Sequence, residues 1–318
     1  MDAQTPPVTL DDIEAAAERI KDRVRRTPCL RTRFIREPAS RSPLMLKLEC
    51  LQVTGSFKAR GANNALLGLG DDAVARGVVT ASGGNHGIAV AYAARASGTT
   101  ATIYLPEIVS AAAVEKLKRW DADVVIEGAV WDDANRAALA HADRDGLAYI
   151  HPFADPAVIA GQGTVGREML KQSSDIDVIL VAIGGGGLIS GIATAAKAMK
   201  PDVRVIGVEP VGAPTLTRSL AAGEVTTLDG IDTGAVTLAP RRSAEINFDI
   251  IRRDVDDIVL VDDDEMRAAA RWLWFEMSLG VELAGAAGVA ALMSGRVDVP
   301  EDAVVAAVVC GAGNDGFA

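Results

Sequence analysis

The amino-acid sequence predicts an α/β protein in which helices cover both faces of mostly parallel β-sheets. Short runs rich in valine and isoleucine recur along the chain, each followed by a turn of small residues and an alanine-rich stretch of helical length. Strands that alternate with helices in this way are typical of βαβ units, which build parallel sheets. The length of 318 residues suits one large domain or two closely packed domains.

The predicted elements begin with a helix. Thr9–Asp12 is typical of a capping box, and the helix it opens is expected to run to Val24 and to be closed by Arg26–Pro28. Residues 44–50 alternate as a strand, after which five strand–turn–helix units and a last strand follow. The predicted strands of the five units are residues 77–81, 100–105, 123–126, 177–183 and 203–208, and the last strand is residues 303–309. The predicted helices are residues 84–96, 112–120, 131–142, 188–199 and a segment after Pro210.

Composition excludes several classes of partner. The formal net charge is -11, which disfavours nucleic acid and anionic membrane surfaces because both require basic patches. Cys29, Cys50 and Cys310 are odd in number and widely spaced, so they form neither a disulfide framework nor a metal-ligand pattern. A reducing cytoplasm is therefore the predicted compartment. Residues 1–12 contain neither a basic segment nor an apolar one, so no secretory signal is predicted.

One uncharged segment, residues 178–196, is nearly long enough to span a bilayer. Its middle contains four consecutive glycines, each of which costs about 1 kcal/mol relative to alanine inside a helix. A buried strand, a glycine turn and a helix account for the same residues better than a transmembrane helix does.

In parallel α/β sheets, ligands bind beyond the carboxyl ends of the strands, so the turns there carry the candidate chemistry. The turn Gly184–Gly187 follows a buried strand and opens a helix. Glycines allow close backbone approach, and free N–H groups at a helix start favour an anion such as phosphate. A tight turn without a ligand is the alternative, but one glycine would suffice for that. The spacing matches neither the dinucleotide fingerprint nor a P-loop.

Two further turns differ in what they indicate. The segment ASGGNHG, residues 81–87, offers N–H groups, a hydroxyl and an amide that could hold a carboxylate, although His86 alone is weak support. The segment GAGNDG, residues 311–316, matches G-x-G-x-x-G but is followed by no helix, so a dinucleotide site is not predicted. Cys310 ends the strand before it, where a buried, inert thiol is the ordinary expectation.

The segment GSFKARGA, residues 55–62, places Lys58 where a helix begins. A lone lysine there is usually solvated. A chain that also has a phosphate turn and a carboxylate turn favours a second interpretation, in which the lysine forms a Schiff base with a phosphorylated aldehyde cofactor. Pyridoxal 5'-phosphate is the simplest such cofactor.

The motifs occur in an order that resembles a known family. They are K-L-E-x-L-Q-x-T-G-S-F-K-x-R-G-A, S-x-G-N-H-G, A-G-Q-G-T, the tetraglycine turn, V-E-P, E-x-x-G-A and C-G-A-G-N, between residues 26 and 314. The chain resembles pyridoxal-phosphate enzymes of the tryptophan-synthase-β fold (fold type II), in the threonine/serine dehydratase and serine racemase branch. The resemblance implies two open, twisted, parallel-sheet αβα domains with the cofactor in the cleft between them. Residues 1–69 and 149–318 would form a large cofactor-binding domain, and residues 70–148 a small mobile domain.

The resemblance also implies roles for individual residues. Lys58 would be the Schiff-base lysine and the base that moves the Cα proton, and Ser82 is the other candidate catalytic residue. Phe57 would pack on the ring, Asn85 would bind its phenolic oxygen, and Glu282 would lie near the ring and the leaving group. Cys310 would face the pyridine nitrogen, where a thiol, unlike an aspartate, does not enforce protonation. The phosphate would bind Gly184, Gly185, Gly186 and Gly187. The substrate carboxylate would bind Ser82, Gly84, Asn85 and His86.

The implied reaction is α,β-elimination of water from an L-β-hydroxy amino acid, threonine or serine first, to give a 2-oxo acid and ammonia. Alternatives are a dehydratase for 3-hydroxyaspartate or 3-phenylserine, an amino-acid racemase, a β-replacement synthase, and a non-catalytic binding protein of the same fold. The family motif E-P-[ST] reads Glu282-Leu283-Ala284 in this chain, which puts the substrate in doubt more than the chemistry.

Two further departures bear on the branch. Racemase-like relatives bind a divalent cation through the V-E-P glutamate, a carbonyl and an aspartate, but Thr215 stands where that aspartate would be, so no metal is expected. Serine racemases also carry a serine where this chain has Gly83, which predicts elimination with negligible racemisation. The resemblance further implies a homodimer acting on a small-molecule amino acid.

Overall fold

The computed structural model describes residues 8–33 and 35–317, and within them the chain forms two separate β-sheets. Residues 1–7, which carry part of the signal-peptide prediction, lie outside the described residues. The strands are β1 Cys29–Arg31, β2 Leu44–Leu48, β3 Val78–Ala81, β4 Ala101–Leu105, β5 Asp123–Ile126, β6 Ala148–Tyr149, β7 Val178–Ala182, β8 Arg204–Pro210, β9 Asp257–Val261 and β10 Val305–Val309. The helices are α1 Leu10–Ile20, α2 Lys58–Leu67, α3 Asp71–Arg76, α4 Asn85–Ala96, α5 Ala111–Lys118, α6 Trp131–Asp145, α7 Pro156–Gln172, α8 Gly187–Met199, α9 Thr215–Ala222, α10 Glu245–Asp254, α11 Asp263–Met277 and α12 Leu283–Met293.

The larger sheet has six strands in the order β1-β2-β10-β7-β8-β9. All neighbours are parallel except β1, which pairs antiparallel with β2 at the edge. Its central strands β7 and β10 are buried at every position, as expected for strands covered by helices on both faces. The turns that follow them, at Gly184–Gly187 and Cys310, are therefore anchored by fully buried strands.

The smaller sheet has four parallel strands in the order β5-β4-β3-β6. Its core includes the apolar side chains of α2, since Ala62 and Leu66 pack with Val78 and Ile103 of this sheet. Helix α2 also contacts α7, which lies over the larger sheet. Helix α2, which begins at Lys58, therefore contacts both the small sheet and a helix that covers the larger sheet. The division into a large and a small domain at residues 69 and 149 stays a prediction.

The predicted fold class is confirmed, with mixed α/β architecture and parallel sheets. The strand and helix predicted on either side of each glycine turn are present, with ends shifted by a few residues. Helix α1 begins with the predicted capping box between Thr9 and Asp12. It ends at Ile20, earlier than predicted, and beyond it the side chain of Gln52 bonds both backbone groups of Arg25.

The apolar segment 178–196 forms β7, the glycine turn and α8, as predicted. Among the described residues, no helix is both long enough and apolar enough to cross a membrane.

Candidate active site

The four predicted turns meet around one cavity of about 800 Å³. Helix α2 contributes Phe57 and Lys58, the turn after β3 contributes Ser82–His86, and the turn after β7 contributes Gly184–Gly187. Glu282 and Cys310 complete the set of predicted site residues. Every site residue predicted from the sequence therefore lines the same cavity, at the carboxyl ends of strands from both sheets.

Lys58 is the first residue of α2, and its amine lies inside the cavity. Its Nζ donates to the carbonyl oxygen of Pro152 at 2.7 Å and lies 5.2 Å from the centre of the Phe57 ring. Burial lowers the pKa of the lysine to about 8, against the opposing effects of Cys310 and Glu282. Because neutral amine is then available near physiological pH, Lys58 can act as a nucleophile and as a base.

The tetraglycine turn has room for backbone only. A Cβ atom on Gly185 would lie 2.3 Å from Cδ1 of Phe153, and one on Gly187 would lie 2.7 Å from the Phe153 carbonyl oxygen. Gly186 has a φ of +94°, in the left-handed region that favours glycine. Since α8 starts at Gly187, its first N–H groups have no partner within the helix. A turn with exposed donors at a helix N-terminus suits a phosphate group.

The Ser82–His86 turn opens α4, which begins at Asn85. The side chain of His86 is buried, and its Nε2 lies 3.0 Å from the Ile150 carbonyl oxygen and 3.1 Å from Thr80 Oγ1. Burial lowers the pKa of His86 to about 3, so the ring is neutral. The imidazole thus holds the turn against β3, and a carboxylate would meet the backbone N–H of His86 instead of a cationic ring.

Glu282 is the N-cap residue of α12, but its side chain makes no capping hydrogen bond and lines the cavity instead. Its Oε1 accepts a hydrogen bond from Asn85 Nδ2 at 2.9 Å. Burial raises the pKa of Glu282 to about 7, although this bond opposes the shift. Asn85, expected to bind the phenolic oxygen of the cofactor, is thus bonded to Glu282 here.

Cys310 is buried at the end of β10, and its carbonyl oxygen accepts from the N–H of Phe57 at 3.2 Å. Burial also raises the pKa of its thiol well above the ordinary value, so the group is a neutral SH. A neutral partner at this position is what the sequence predicts opposite a pyridine nitrogen.

Several cavity residues escape prediction from sequence. Val130 and Trp131 form a wall at the start of α6, where the Trp131 indole N–H donates to the Ala81 carbonyl oxygen at 2.9 Å. Phe153 also lines the cavity and packs under the tetraglycine turn, whereas Asn247 lies outside the cavity and donates to the turn from behind. No motif marks these residues, because they come from elements distant in the sequence. A tryptophan at the start of a predicted helix was the one available signal.

The residues that line the cavity fit pyridoxal phosphate. They offer an amine for the aldehyde, a glycine turn with free N–H groups for the phosphate, and a neutral thiol for the ring nitrogen. The buried Nδ1 of His86 has no hydrogen-bond partner among the described residues. A buried polar atom of this kind is expected beside a site that receives a polar ligand.

Comparisons with known proteins agree with this geometry. Residues 20–311 match the family described as pyridoxal-phosphate dependent enzyme, and the chain belongs to that family. It is 39% identical to an L-threonine ammonia-lyase of Thermotoga maritima, over 96% of this chain and 76% of the relative. It is 37% identical to a phenylserine dehydratase of Ralstonia pickettii, over 98% of this chain and 96% of the relative. The structure of maize serine racemase superposes with a TM-score of 0.92 at 35% identity, covering 96% of this chain and 94% of that one.

Proposed function

We propose that this protein is an ammonia-lyase that removes water from an L-β-hydroxy amino acid, with threonine and serine as the first candidates. The observation that carries the proposal is the position of Lys58. Its amine lies between a turn suited to phosphate and a turn suited to carboxylate, with its pKa lowered to about 8. The similarity to threonine ammonia-lyase over nearly the whole chain supports the same reaction.

In this proposal each group has a defined task. Gly184–Gly187 would hold the cofactor phosphate, Phe57 would pack on the ring, and Cys310 would face the ring nitrogen without imposing a charge. Once bound, the cofactor stabilises negative charge at the substrate Cα. The N–H groups of the Ser82–His86 turn orient the substrate carboxylate, and Lys58 takes the Cα proton. The β-hydroxyl takes up one proton and leaves as water, which balances the proton that Lys58 removes from Cα. The enamine that remains tautomerises to an imine, and water hydrolyses the imine to a 2-oxo acid and ammonia.

The covalent assignment is tested by borohydride reduction and peptide mapping. Pyridoxyl label is expected on Lys58, and the Lys58→Ala variant should lose both the label and the visible absorbance of the bound cofactor. Lys47 and Lys197 serve as internal controls, because each is held in an ion pair, with Glu168 and Asp256 respectively. Label on either of them would overturn the assignment.

The reaction is tested by a 2-oxo acid assay on L-serine, L-threonine, 3-hydroxyaspartate and 3-phenylserine. Production of 2-oxo acid and ammonia in equal amounts from at least one of them is expected. If 2-oxo acid formed at the same rate with wild type and with Lys58→Ala, the result would count against an enzyme and favour a binding protein.

A second candidate substrate has specific support. Val130 and Trp131 line the same cavity as Val236 and Leu238, and these apolar side chains suit an aryl group. A phenylserine dehydratase is among the relatives that match the whole chain. If 3-phenylserine is the better substrate, its kcat/KM should exceed that of threonine in the same panel.

We also propose that the protein is a cytoplasmic homodimer. The resemblance supports the dimer, and three cysteines without a disulfide suit a reducing compartment. Sedimentation velocity at micromolar concentration should report twice the mass of one chain, and cell fractionation should recover the protein with cytoplasmic enzymes. A single species of one-chain mass would contradict the dimer.

A further inference from the structure

Asn247 lies behind the tetraglycine turn, on the side away from the open cavity. It is fully buried in the first turn of α10. Its Nδ2 donates to two carbonyl oxygens, that of Gly185 at 2.9 Å and that of Phe153 at 3.1 Å. Ser243 Oγ also donates to the Gly185 carbonyl oxygen, at 2.9 Å. Two buried side chains thus hold one carbonyl of the turn.

The direction of that carbonyl matters for an anion. A peptide carbonyl turned toward a phosphate would repel it, whereas peptide N–H groups attract it. Because Asn247 and Ser243 together use the acceptor capacity of the Gly185 oxygen, the oxygen is fixed away from the ligand side. The turn can then present N–H groups without first reorganising.

The second bond of Asn247 extends this support to the lysine. The Phe153 carbonyl that it binds belongs to the residue whose ring and backbone pack against Gly185 and Gly187. The preceding carbonyl, that of Pro152, accepts from Lys58. Neighbouring peptide groups of one segment therefore bond Asn247 and the reactive amine.

We propose that Asn247 is a positioning residue that shapes the Gly184–Gly187 turn for the phosphate of the cofactor. It acts through the Gly185 and Phe153 carbonyls and does not contact the reacting atoms. The proposal rests on membership of the pyridoxal-phosphate family and is independent of which amino acid is the substrate.

The test compares two cofactors that differ only in the phosphate. Apoenzyme is titrated with pyridoxal phosphate and with pyridoxal, which carries the same aldehyde but no phosphate, and binding is followed by absorbance. Asn247→Ala should weaken pyridoxal phosphate binding about tenfold, since two buried hydrogen bonds are lost, and should change pyridoxal binding by less than about threefold. Ser243→Ala should also weaken pyridoxal phosphate binding more than pyridoxal binding, but by a smaller factor than Asn247→Ala.

Asn63→Ala is the matched control. Asn63 is also fully buried, its Nδ2 also donates to a backbone carbonyl, that of Ala59 at 2.7 Å, and its Oδ1 also has no partner among the described residues. Its Nδ2 donates within α2 and not to the tetraglycine turn or to Phe153, so its loss should lower the two affinities equally or leave both unchanged.

The outcomes separate cleanly. Equal losses for both cofactors in Asn247→Ala would show general loss of packing and would overturn the proposal, as would unchanged affinity for pyridoxal phosphate. If Asn247→Ala does not fold, as judged by circular dichroism of the apoenzyme, Ser243→Ala decides by the same criterion. Failure of the elimination reaction with normal cofactor binding would count against the proposed function and leave this proposal standing.

Discussion

Glu282 lines the cavity, and burial there disfavours its charged form. Its carboxyl is held in a partly buried site where burial raises the pKa to about 7, while one Glu282 oxygen accepts from Asn85. Above a pH of about 7 the Glu282 carboxylate is charged in a buried site in the folded protein, whereas in the unfolded chain the same charge is solvated by water. The side chain therefore opposes folding at neutral and alkaline pH.

The resulting prediction concerns Glu282→Gln in the apoenzyme. Below the ordinary pKa near 4.5 both states are protonated, so the substitution should have little effect on the free energy of unfolding. As pH rises, the unfolded chain loses the proton first, and the folded wild type loses relative stability until about pH 7. The variant should accordingly be more stable at pH 8 by an amount on the order of 3 kcal/mol, and by much less at pH 5.

Urea unfolding at several pH values measures this difference. Glu224→Gln, the same change on an exposed side chain, supplies the baseline. A stability gain for Glu282→Gln that did not grow between pH 5 and pH 8 would contradict the electrostatic account.

Gly83 bears on whether the enzyme racemises its substrate. Reversible inversion needs a proton donor on each face of Cα, and glycine at this position provides none. A Cβ built on Gly83 would meet Leu105 Cδ2 and Val109 Cγ2 at 3.3 Å each, so even a side chain added there would start against an apolar wall. Ser82, the neighbouring hydroxyl, accepts from the Gly84 N–H at 3.3 Å.

We therefore expect L-selective elimination with negligible racemisation. Chiral analysis of the serine left after long incubation of L-serine with the enzyme measures this. D-Serine that accumulated at a rate comparable to pyruvate would contradict the prediction. Its disappearance in Ser82→Ala would then identify Ser82 as the second proton donor.

At the scale of elements, the sequence predicts strands followed by glycine turns well and glycine-rich helices poorly. The β7, tetraglycine and α8 unit was predicted because a continuous apolar run must be a buried strand. Helix α7, in contrast, contains Gly161, Gly163 and Gly166, which argue locally against a helix. These glycines serve tertiary packing, since a Cβ on Gly161 would lie 2.6 Å from the Gly61 Cα of α2. Such close approach depends on a partner 100 residues away.

The same limit explains the uneven prediction of the site. Lys58, the Ser82–His86 turn and the tetraglycine turn carry local motifs, and the topology of a parallel sheet brings their strand ends together. Asn247 bonds backbone carbonyls, one of which belongs to Phe153. Because every residue has a carbonyl, no sequence motif marks either residue. The fold class and the cavity residues that carry local motifs could be predicted, whereas Val130 and Trp131 in the cavity wall and the residues behind the tetraglycine turn could not.

Glu209, which the resemblance implied as a metal ligand in racemase-like relatives, bonds a helix end in this structure. It is buried at the end of β8, and its two carboxylate oxygens accept from Leu216 N at 2.7 Å, from Thr217 N at 2.9 Å and from Thr217 Oγ1 at 2.7 Å. The carboxylate thus binds the N-terminus of α9. Thr215, which stands where relatives have an aspartate ligand, donates to the Pro240 carbonyl oxygen instead.

A divalent cation at this place would have to displace the start of α9. We expect kcat/KM to change by less than about twofold after EDTA treatment or addition of Mg²⁺ or Ca²⁺, because the described residues contain no cluster of three or more side chains of the kinds that bind metal ions. Glu209→Gln should lower the free energy of unfolding by about 1–3 kcal/mol, because an amide nitrogen would replace one of the two oxygens that accept hydrogen bonds from the start of α9. Strong Mg²⁺ activation that Glu209→Ala abolishes would show that other ligands complete a site.

At the scale of the whole molecule, the cavity is built from two sheets that meet across it. Glu282 directly precedes α12, which leads to β10 in the large sheet, and Asn85 is the first residue of α4, which follows β3 of the small sheet. Their hydrogen bond therefore links the two sides at the cavity. At another point, the Tyr92 hydroxyl donates to the Arg23 carbonyl oxygen at 2.5 Å. Residues 70–148, predicted to move as a unit, are thus attached by these two polar contacts and by apolar packing against α2.

The last prediction is that this unit closes on the substrate. An amino acid whose carboxylate binds the Ser82–His86 turn while its amine lies near Lys58 contacts both sides, and a ligand that binds the closed form better shifts the population toward it. L-Alanine suits the measurement because it has the amine and the carboxylate but no β-hydroxyl to lose. Hydrogen exchange of the holoenzyme with saturating L-alanine should slow at residues 82–86 and 130–132, and should stay unchanged in α11. Asn85→Ala removes one contact across the cavity and should weaken the protection at both segments. Saturation of the cofactor absorbance change without protection at either segment would show that the cleft binds its substrate without closing.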